Sequence, residues 1–226
     1  TNCYYNSTLC DGNHNAIYTN AGGTATNVEG KTTEQFKSGE VAYLLQGEQT
    51  QQVWGQNIDG EGKKDAYPVF SDAKVYPAKN CKGETAGYSN TDGKQLDHTY
   101  ENGFCTVCDG FQSATGSGTE RDPYKIGNAG QLYWFAAVVN AGYGGVAQNA
   151  AAWAELTANI TVNADVLKED GTLNGDGSSF LPWTPIGSSS RYTGTFNGNG
   201  KTVSGLYVNE NTVFVGLFGW SKGTVK

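Results

Sequence analysis

Three cysteines and one histidine in the middle of the chain have the residue types and spacing of a metal site. Cys105 and Cys108 form a Cys-x2-Cys pair, and Cys81 and His98 precede it in the same stretch. Three thiolates and one imidazole make a closed ligand set for a structural zinc ion, with no coordination position left for a substrate. The sequence therefore predicts one structural zinc held by Cys81, His98, Cys105 and Cys108.

Disulfide formation is the alternative fate of these cysteines, because exported proteins commonly oxidise their thiols. The pairs considered are Cys3–Cys10, Cys105–Cys108 and Cys81–Cys105, and the odd number of cysteines, five, leaves one thiol over. Spacing does not decide between zinc and a disulfide, so both stay open at this point. A redox role for Cys105 and Cys108 is not expected, since nothing around the pair predicts the strand-then-helix setting that lowers a thiol pKa.

The other polar and aromatic residues do not predict a catalytic centre. A glycosidase-like site needs converging carboxylates, and the candidates lie mostly in hydrophilic loops: Asp59, Glu61, Asp65, Glu155, Asp165, Glu169, Asp170 and Asp176. The loop around Asp165–Asp176 is rich in oxygen atoms but lacks EF-hand spacing. Six tyrosines could stack on sugars but are expected to pack instead: Tyr4, Tyr5, Tyr67, Tyr76, Tyr192 and Tyr207. His14 is predicted to be a solvated loop residue. We therefore expect no enzyme activity and no cofactor besides the structural zinc.

Composition limits the fold and the partners. The 226 residues carry a net charge of −7, with 37% hydrophobic residues, 16% charged residues and 32 glycines. Helical bundles need more Leu, Ala, Glu and Lys, so short strands joined by Gly/Asn turns are predicted. The acidic balance argues against nucleic acid as a partner, and no apolar run approaches the ~18 residues of a membrane span.

Two segments show helix signals with the same capping pattern. Thr32 and Gln35 have capping-box spacing and predict a helix near 33–46, either continuous or interrupted at Gly39. Asn128 and Gln131 repeat that spacing and predict a helix near 128–141. After position 156 the pattern changes to short strands separated by Asn-Gly and Gly-Asn-Gly turns, in which glycine allows positive φ.

These last strands carry a resemblance to a known family. The segments Trp183-Thr-Pro-Ile-Gly187, YTGTFNGNGKTVSGLY (192–207) and VGLFG (215–219) with the terminal GTVK (223–226) resemble GLUG repeats of large bacterial surface proteins. The segment beginning at 116 resembles the entry to such repeats, and the first third resembles the end of an array. The resemblance implies a mainly β, right-handed β-helix or solenoid-like fold, with short capping helices and a small Cys-rich connector.

The domain organisation and function follow from that resemblance. Residues 1–78 are expected to end one repeat array, 79–115 to form the Cys/His connector, and 116–226 to begin a second array. The implied function is a non-catalytic structural or adhesive segment of a modular, extracellular bacterial cell-surface protein, which either self-associates or forms an extended stalk. The expected partners are other copies of the chain or neighbouring repeats, contacted through the chain ends. A host or glycan ligand is an additional partner considered. The alternative is an accessory, ligand- or glycan-binding domain of a secreted protease or carbohydrate-active enzyme.

One core is expected in the second half of the chain, where the helix covers a sheet. The predicted members are Leu132, Trp134, Phe135, Val138, Trp153, Leu156, Ile160, Trp183, Ile186, Phe196, Leu206, Phe214, Leu217 and Phe218.

Overall fold

The structure, a computed structural model, describes residues 3–9, 28–70, 73–209 and 215–226. The chain divides into two compact units, Thr1–His98 and Thr99–Lys226. The domain boundaries expected at 78/79 and 115/116 stay predictions. Among the described residues, no helix combines the length and apolar character that crossing a bilayer requires.

The first unit consists of short strands and two short helices. Its elements are β1 (Cys3–Asn6), a 3-10 turn (Ser7–Leu9), β2 (Val28–Lys31), α1 (Thr33–Lys37), α2 (Glu40–Gln46), β3 (Trp54–Gly55), β4 (Val69–Phe70), β5 (Tyr76–Lys79) and β6 (Thr85–Ser89). Strands β1 and β2 pair in parallel. Strands β3 and β4 pair antiparallel, as do β5 and β6.

The helical segment of this unit is divided at Gly39. The Thr32 side chain accepts a hydrogen bond from the Gln35 N–H, and the Gln35 side chain accepts one from the Thr32 N–H, so the expected capping box is confirmed. Gly39 has φ +88°, and a Cβ there would lie 2.8 Å from Ile58 Cδ1. Because an L side chain rarely adopts this φ and the space is occupied, the segment forms two helices instead of one.

The second unit combines a parallel sheet with one long helix. Its elements are β7 (Tyr100–Glu101), β8 (Phe104–Cys105), β9 (Tyr124–Ile126), α3 (Ala129–Asn140), β10 (Ala154–Leu156), β11 (Ile160–Thr161), β12 (Thr195–Asn197), β13 (Val203–Ser204) and β14 (Thr224–Val225). Four strands form a parallel sheet in the order β14-β12-β10-β9. Strands β11 and β13 form a separate parallel pair, and β7 and β8 form an antiparallel hairpin.

Helix α3 lies in the core of this unit. The Asn128 side chain accepts a hydrogen bond from the Gln131 N–H, as the capping pattern predicts. Nine of the twelve α3 residues are buried, which is typical of a helix surrounded by the fold. The expected core residues that are buried are Leu132, Trp134, Phe135, Val138, Leu156, Ile160, Trp183, Ile186 and Phe196. Leu206, Leu217 and Phe218 pack against them while partly exposed, Trp153 is half-buried, and Phe214 lies outside the described residues.

The predicted right-handed β-helix or solenoid is wrong. The described residues form a mixed fold of short strands, distributed over several separate sheets of two to four strands, with three α-helices. The glycine turns end strands after two to five residues, and much of 162–194 is loop with isolated bridges. The description of the helices as short caps is also wrong for α3, because its apolar residues are enclosed by the core.

Candidate metal centre

The four residues predicted as zinc ligands lie together in the structure. Cys81, His98, Cys105 and Cys108 each offer one ligand atom, and these atoms all lie within 4.8 Å of one another. Cys105 is buried and Cys108 partly buried, whereas Cys81 and His98 are exposed. Within the described ranges this is the one such group of at least three His, Cys, Asp or Glu side chains. The side chains thus form a cluster that can hold a metal ion.

A tight hairpin places the Cys-x2-Cys pair. Asn102 and Gly103 connect β7 to β8 with φ angles of +45° and +82°, and two positive φ values are the signature of a type I′ hairpin turn. After β8 the chain turns back, since the Cys105 N–H donates to the Gly110 carbonyl at 2.8 Å and the Asp109 N–H donates to the Cys105 carbonyl at 3.1 Å. This turn brings the Cys108 side chain back toward Cys105.

A second turn places Cys81. The Asn80 side chain accepts hydrogen bonds from the N–H groups of Lys82 and Glu84 at 2.9 and 3.0 Å, which fixes the loop that contains Cys81. The Leu96 N–H donates to the Lys79 carbonyl at 2.8 Å, so the segment leading to His98 runs beside the start of the same loop. Cys81 and His98 are therefore held by backbone pairing that does not involve their own side chains.

The dimensions of the cluster suit a tetrahedral ion after a small contraction. With Zn–S bonds of about 2.3 Å, tetrahedral geometry separates two sulfur atoms by about 3.8 Å. The spread of up to 4.8 Å in the structure is wider by about 1 Å. Rotation of the exposed Cys81 and His98 side chains can shorten these distances by about 1 Å. Moving the buried Cys105 instead would require its neighbours to repack.

The alternative disulfides stay predictions. The pairs Cys105–Cys108 and Cys81–Cys105 use residues of this same cluster, so oxidation and metal binding exclude each other here. The pair Cys3–Cys10 lies outside the described residues because of Cys10, as does the predicted loop histidine His14.

Three of the carboxylates considered as candidates, Asp59, Asp170 and Asp176, act as loop caps, whereas Glu155 in β10 forms an ion pair with Lys125. Asp59 accepts hydrogen bonds from Ser89 Oγ and the Asn90 N–H at 2.6 and 2.7 Å. Burial opposes the ionised form of Asp59, but these bonds and nearby lysines hold its pKa below the usual value. Asp170 and Asp176 each bond a hydroxyl and an N–H two residues later, which lowers both pKa values through Thr172 and Ser178 respectively.

The tyrosines differ from one another in exposure. Tyr192 is fully buried and its hydroxyl donates to the Ala152 carbonyl at 2.8 Å, so it packs as expected. Tyr67 is 44% exposed. Tyr4, Tyr5 and Tyr76 are partly buried, and Tyr207 is as well.

The contact between the β7–β8 hairpin and helix α3 was not predicted from the sequence. The Asn102 carbonyl accepts a hydrogen bond from the Gly130 N–H at 2.9 Å, and Asn102 Oδ1 accepts one from the Ala129 N–H at 3.3 Å. A Cβ on Gly130 would lie 1.8 Å from the Gly103 carbonyl oxygen. The hairpin that carries Cys105 thus caps the first turn of α3. The dipeptide Asn102-Gly103 was the sequence feature that could have predicted this hairpin.

Aromatic rings join the same two elements. The Phe104 ring lies 5.2 Å from Tyr133 and the Phe111 ring stacks on Tyr143 at 4.9 Å, measured between centroids. The Phe111 N–H donates to the Tyr143 hydroxyl at 3.2 Å. Burial raises the pKa of Tyr133 to about 12. The residues flanking Cys105 and Cys108 are therefore packed against α3 and its following loop.

Comparisons with protein-family models, with curated proteins and with solved structures found no match to this chain. The resemblance to the GLUG-repeat family therefore stays a hypothesis from the sequence.

Proposed function

We propose that Cys81, His98, Cys105 and Cys108 hold one structural zinc ion. The observation that carries this proposal is the convergence of three sulfur atoms and one imidazole within 4.8 Å. A catalytic zinc site keeps one position open for water or substrate, whereas this set fills all four positions with protein ligands. Thiolate and imidazole donors also favour zinc over calcium or magnesium, which prefer oxygen.

The zinc ion would stabilise the folded conformation of a stretch that has few apolar side chains to bury. The stretch 79–115 contains few aliphatic residues, and ordering each residue costs about 1–2 kcal/mol of conformational entropy. Zinc binding to small Cys/His domains releases roughly 10–16 kcal/mol at neutral pH, all of it linked to folding. One ion can therefore offset the ordering of roughly ten residues, which is the part of this stretch nearest the four ligands.

The chain as a whole is proposed to be a non-catalytic structural or adhesive segment of a modular bacterial cell-surface protein. Support comes from the net negative charge and the small share of charged residues, from the GLUG-like segments, and from a site whose ligands leave no place for a substrate. The accessory domain of a secreted protease or carbohydrate-active enzyme is the second candidate, and it shares the same extracellular setting. Antibodies against the chain should label intact cells that make the parent protein; labelling seen after permeabilisation alone would contradict this location.

Metal and thiol analysis on one sample tests the zinc. Protein purified without added metal or reductant should contain about one zinc per chain, and unfolding with a chelator should then expose all five cysteines to a thiol reagent. A disulfide within the cluster would leave three reactive thiols and no zinc. Five reactive thiols without zinc would refute both forms of the site.

A matched pair of variants locates the ion. Cys105→Ser should abolish stoichiometric zinc and lower the unfolding temperature of the chain, because it removes a buried ligand. Cys3→Ser makes the same chemical change at an exposed cysteine outside the cluster and should keep the zinc content. Equal zinc content in both variants would show that the metal binds elsewhere.

A further inference from the structure

Trp220 presents a large aromatic ring to solvent from a well-fixed backbone. Its side chain is 53% exposed. The Trp220 N–H donates to the Gly187 carbonyl at 3.1 Å, and its carbonyl accepts from the Tyr192 N–H at 2.9 Å. Gly187 has φ +84°, and a Cβ there would lie 2.5 Å from the Trp220 carbonyl oxygen. The buried Asn140 side chain of α3 in turn accepts the N–H groups of Gly187 and Ser188.

One basic side chain lies against this ring, and a second basic residue follows it in the sequence. The Arg191 guanidinium carbon lies 5.0 Å from the Trp220 ring centroid, a cation–π contact. Lys222 follows two residues after Trp220, and its N–H donates to the Tyr192 carbonyl at 2.8 Å. Within the described part of the chain, neither Arg191 nor Lys222 forms an ion pair with a carboxylate.

The C-terminal stretch of the sequence has a net charge opposite in sign to that of the whole chain. The last fifty residues, 177–226, contain four basic residues and one acidic residue, in a chain whose net charge is −7. One of the two arginines in the sequence is the residue that contacts Trp220. About half of Trp220 stays in contact with water, so burial does not account for that part of its surface. A binding role would account for the exposed part and for the adjacent Arg191.

We propose that Trp220 and Arg191 bind a carboxylate-bearing sugar of an acidic glycan. The apolar face of a pyranose ring stacks on the indole face that Arg191 does not cover. The planar guanidinium of Arg191 accommodates a carboxylate with two parallel hydrogen bonds. An extended polyanion would meet the negative charge of the rest of the chain, which favours a single acidic sugar at this patch.

Titration with matched sugars tests the ligand class. The probes are 3′-sialyllactose, trigalacturonate, and lactose as the neutral counterpart of sialyllactose. Isothermal titration calorimetry gives the affinities of all variants, and NMR of the Trp220 indole N–H locates the binding in the unsubstituted chain. At least one acidic sugar should shift this signal and bind about tenfold or more tighter than lactose. Its affinity should fall as salt rises from about 50 to about 200 mM, because exposed charges are screened. The sugar that binds identifies the carboxylate source as a sialic acid or a uronic acid.

Variants assign the binding to this site. Trp220→Ala and Arg191→Gln should each weaken the acidic sugar at least about tenfold, as expected for aromatic and arginine contacts at a binding centre. Lys201→Gln removes the same charge from an exposed turn of the same stretch and should change affinity less than about twofold. Trp220→Phe, which keeps an aromatic face, provides the comparison if the alanine variant fails to fold.

Three results would overturn the proposal. These are no binding of either acidic sugar, equal binding of lactose, or unchanged affinity in Trp220→Ala or in Arg191→Gln. The site does not depend on the zinc proposal, so sugar binding and zinc content can fail separately.

Discussion

Replacing Gly130 with alanine should destabilise the second unit, although the same change usually stabilises a helix. Alanine is favoured over glycine by about 1 kcal/mol within a helix. Gly130 lies in the first turn of α3, and an added Cβ would be 1.8 Å from the Gly103 carbonyl oxygen and 2.6 Å from Gly103 Cα. These are backbone atoms, so the Asn102–Gly103 turn must move.

The cost follows from the contacts that this movement breaks. The Asn102 carbonyl and side chain accept hydrogen bonds from the Gly130 and Ala129 N–H groups, and each such bond contributes about 0.5–1.5 kcal/mol. Forcing a methyl group into a filled space typically costs a further 1–3 kcal/mol. After the gain in helix propensity of about 1 kcal/mol, we expect a net loss of about 1–5 kcal/mol. Zinc binding should weaken as well, because Cys105 lies two residues after Gly103.

Urea unfolding followed by tryptophan fluorescence measures this loss, since four of the five tryptophans belong to the second unit. Ala137→Gly is the matched control, because it reverses the substitution in the same helix and reports the propensity difference alone, about 1 kcal/mol of destabilisation. An unfolding free energy for Gly130→Ala equal to or above that of the wild type would refute the close packing of the hairpin against α3.

Three further substitutions test the core and its polar contacts. Phe135→Ala should cost about 2–5 kcal/mol, because the ring is fully buried, whereas Leu217→Ala should cost less because Leu217 is partly exposed; urea midpoints that rank them oppositely would contradict this core. Glu155→Gln should lose up to about 1 kcal/mol at pH 7, because the hydrogen bond from the partly exposed Lys125 lowers the Glu155 pKa. This loss should fade as pH falls through the folded-state pKa of Glu155, which lies below the ordinary glutamate value, because the carboxyl is then protonated in the folded state too, and a difference independent of pH would argue against the ion pair. Asn140→Ala should cost about 2–3 kcal/mol in thermal unfolding, because it leaves buried N–H groups without an acceptor; a change below 0.5 kcal/mol would contradict that role.

Features set by neighbouring residues were predictable from the sequence. The caps at Thr32 and Asn128 depend on residues three positions apart, and both are present. The metal cluster was predicted from ligand type and spacing, although spacing did not indicate that Asn102 and Gly103 would position the Cys105 thiol.

Features set by distant pairing were not predictable. Glycine turns repeated between 192 and 207 resembled the corners of a regular solenoid, but turn chemistry does not specify which strands pair. The approach of Gly103 to Gly130 joins residues far apart in sequence, and either glycine alone is compatible with many folds. Trp220 was not singled out from the sequence, because its exposure and the position of Arg191 become visible after the strands are placed.

The parallel sheet of the second unit has consequences for the order of folding. Tyr124 pairs with Ala154, Ala154 with Phe196, and Phe196 with Val225, so each contact closes a loop of about 30 to about 40 residues. Loop closure costs entropy before the pairing returns any free energy, and topologies rich in such distant contacts fold in milliseconds to seconds. The sheet is therefore expected to form late, after α3 and the local β7–β8 turn have assembled. In a nascent chain each strand stays unpaired until its partner about 30 to about 40 residues later has been synthesised, and during that time it is open to pairing with other chains.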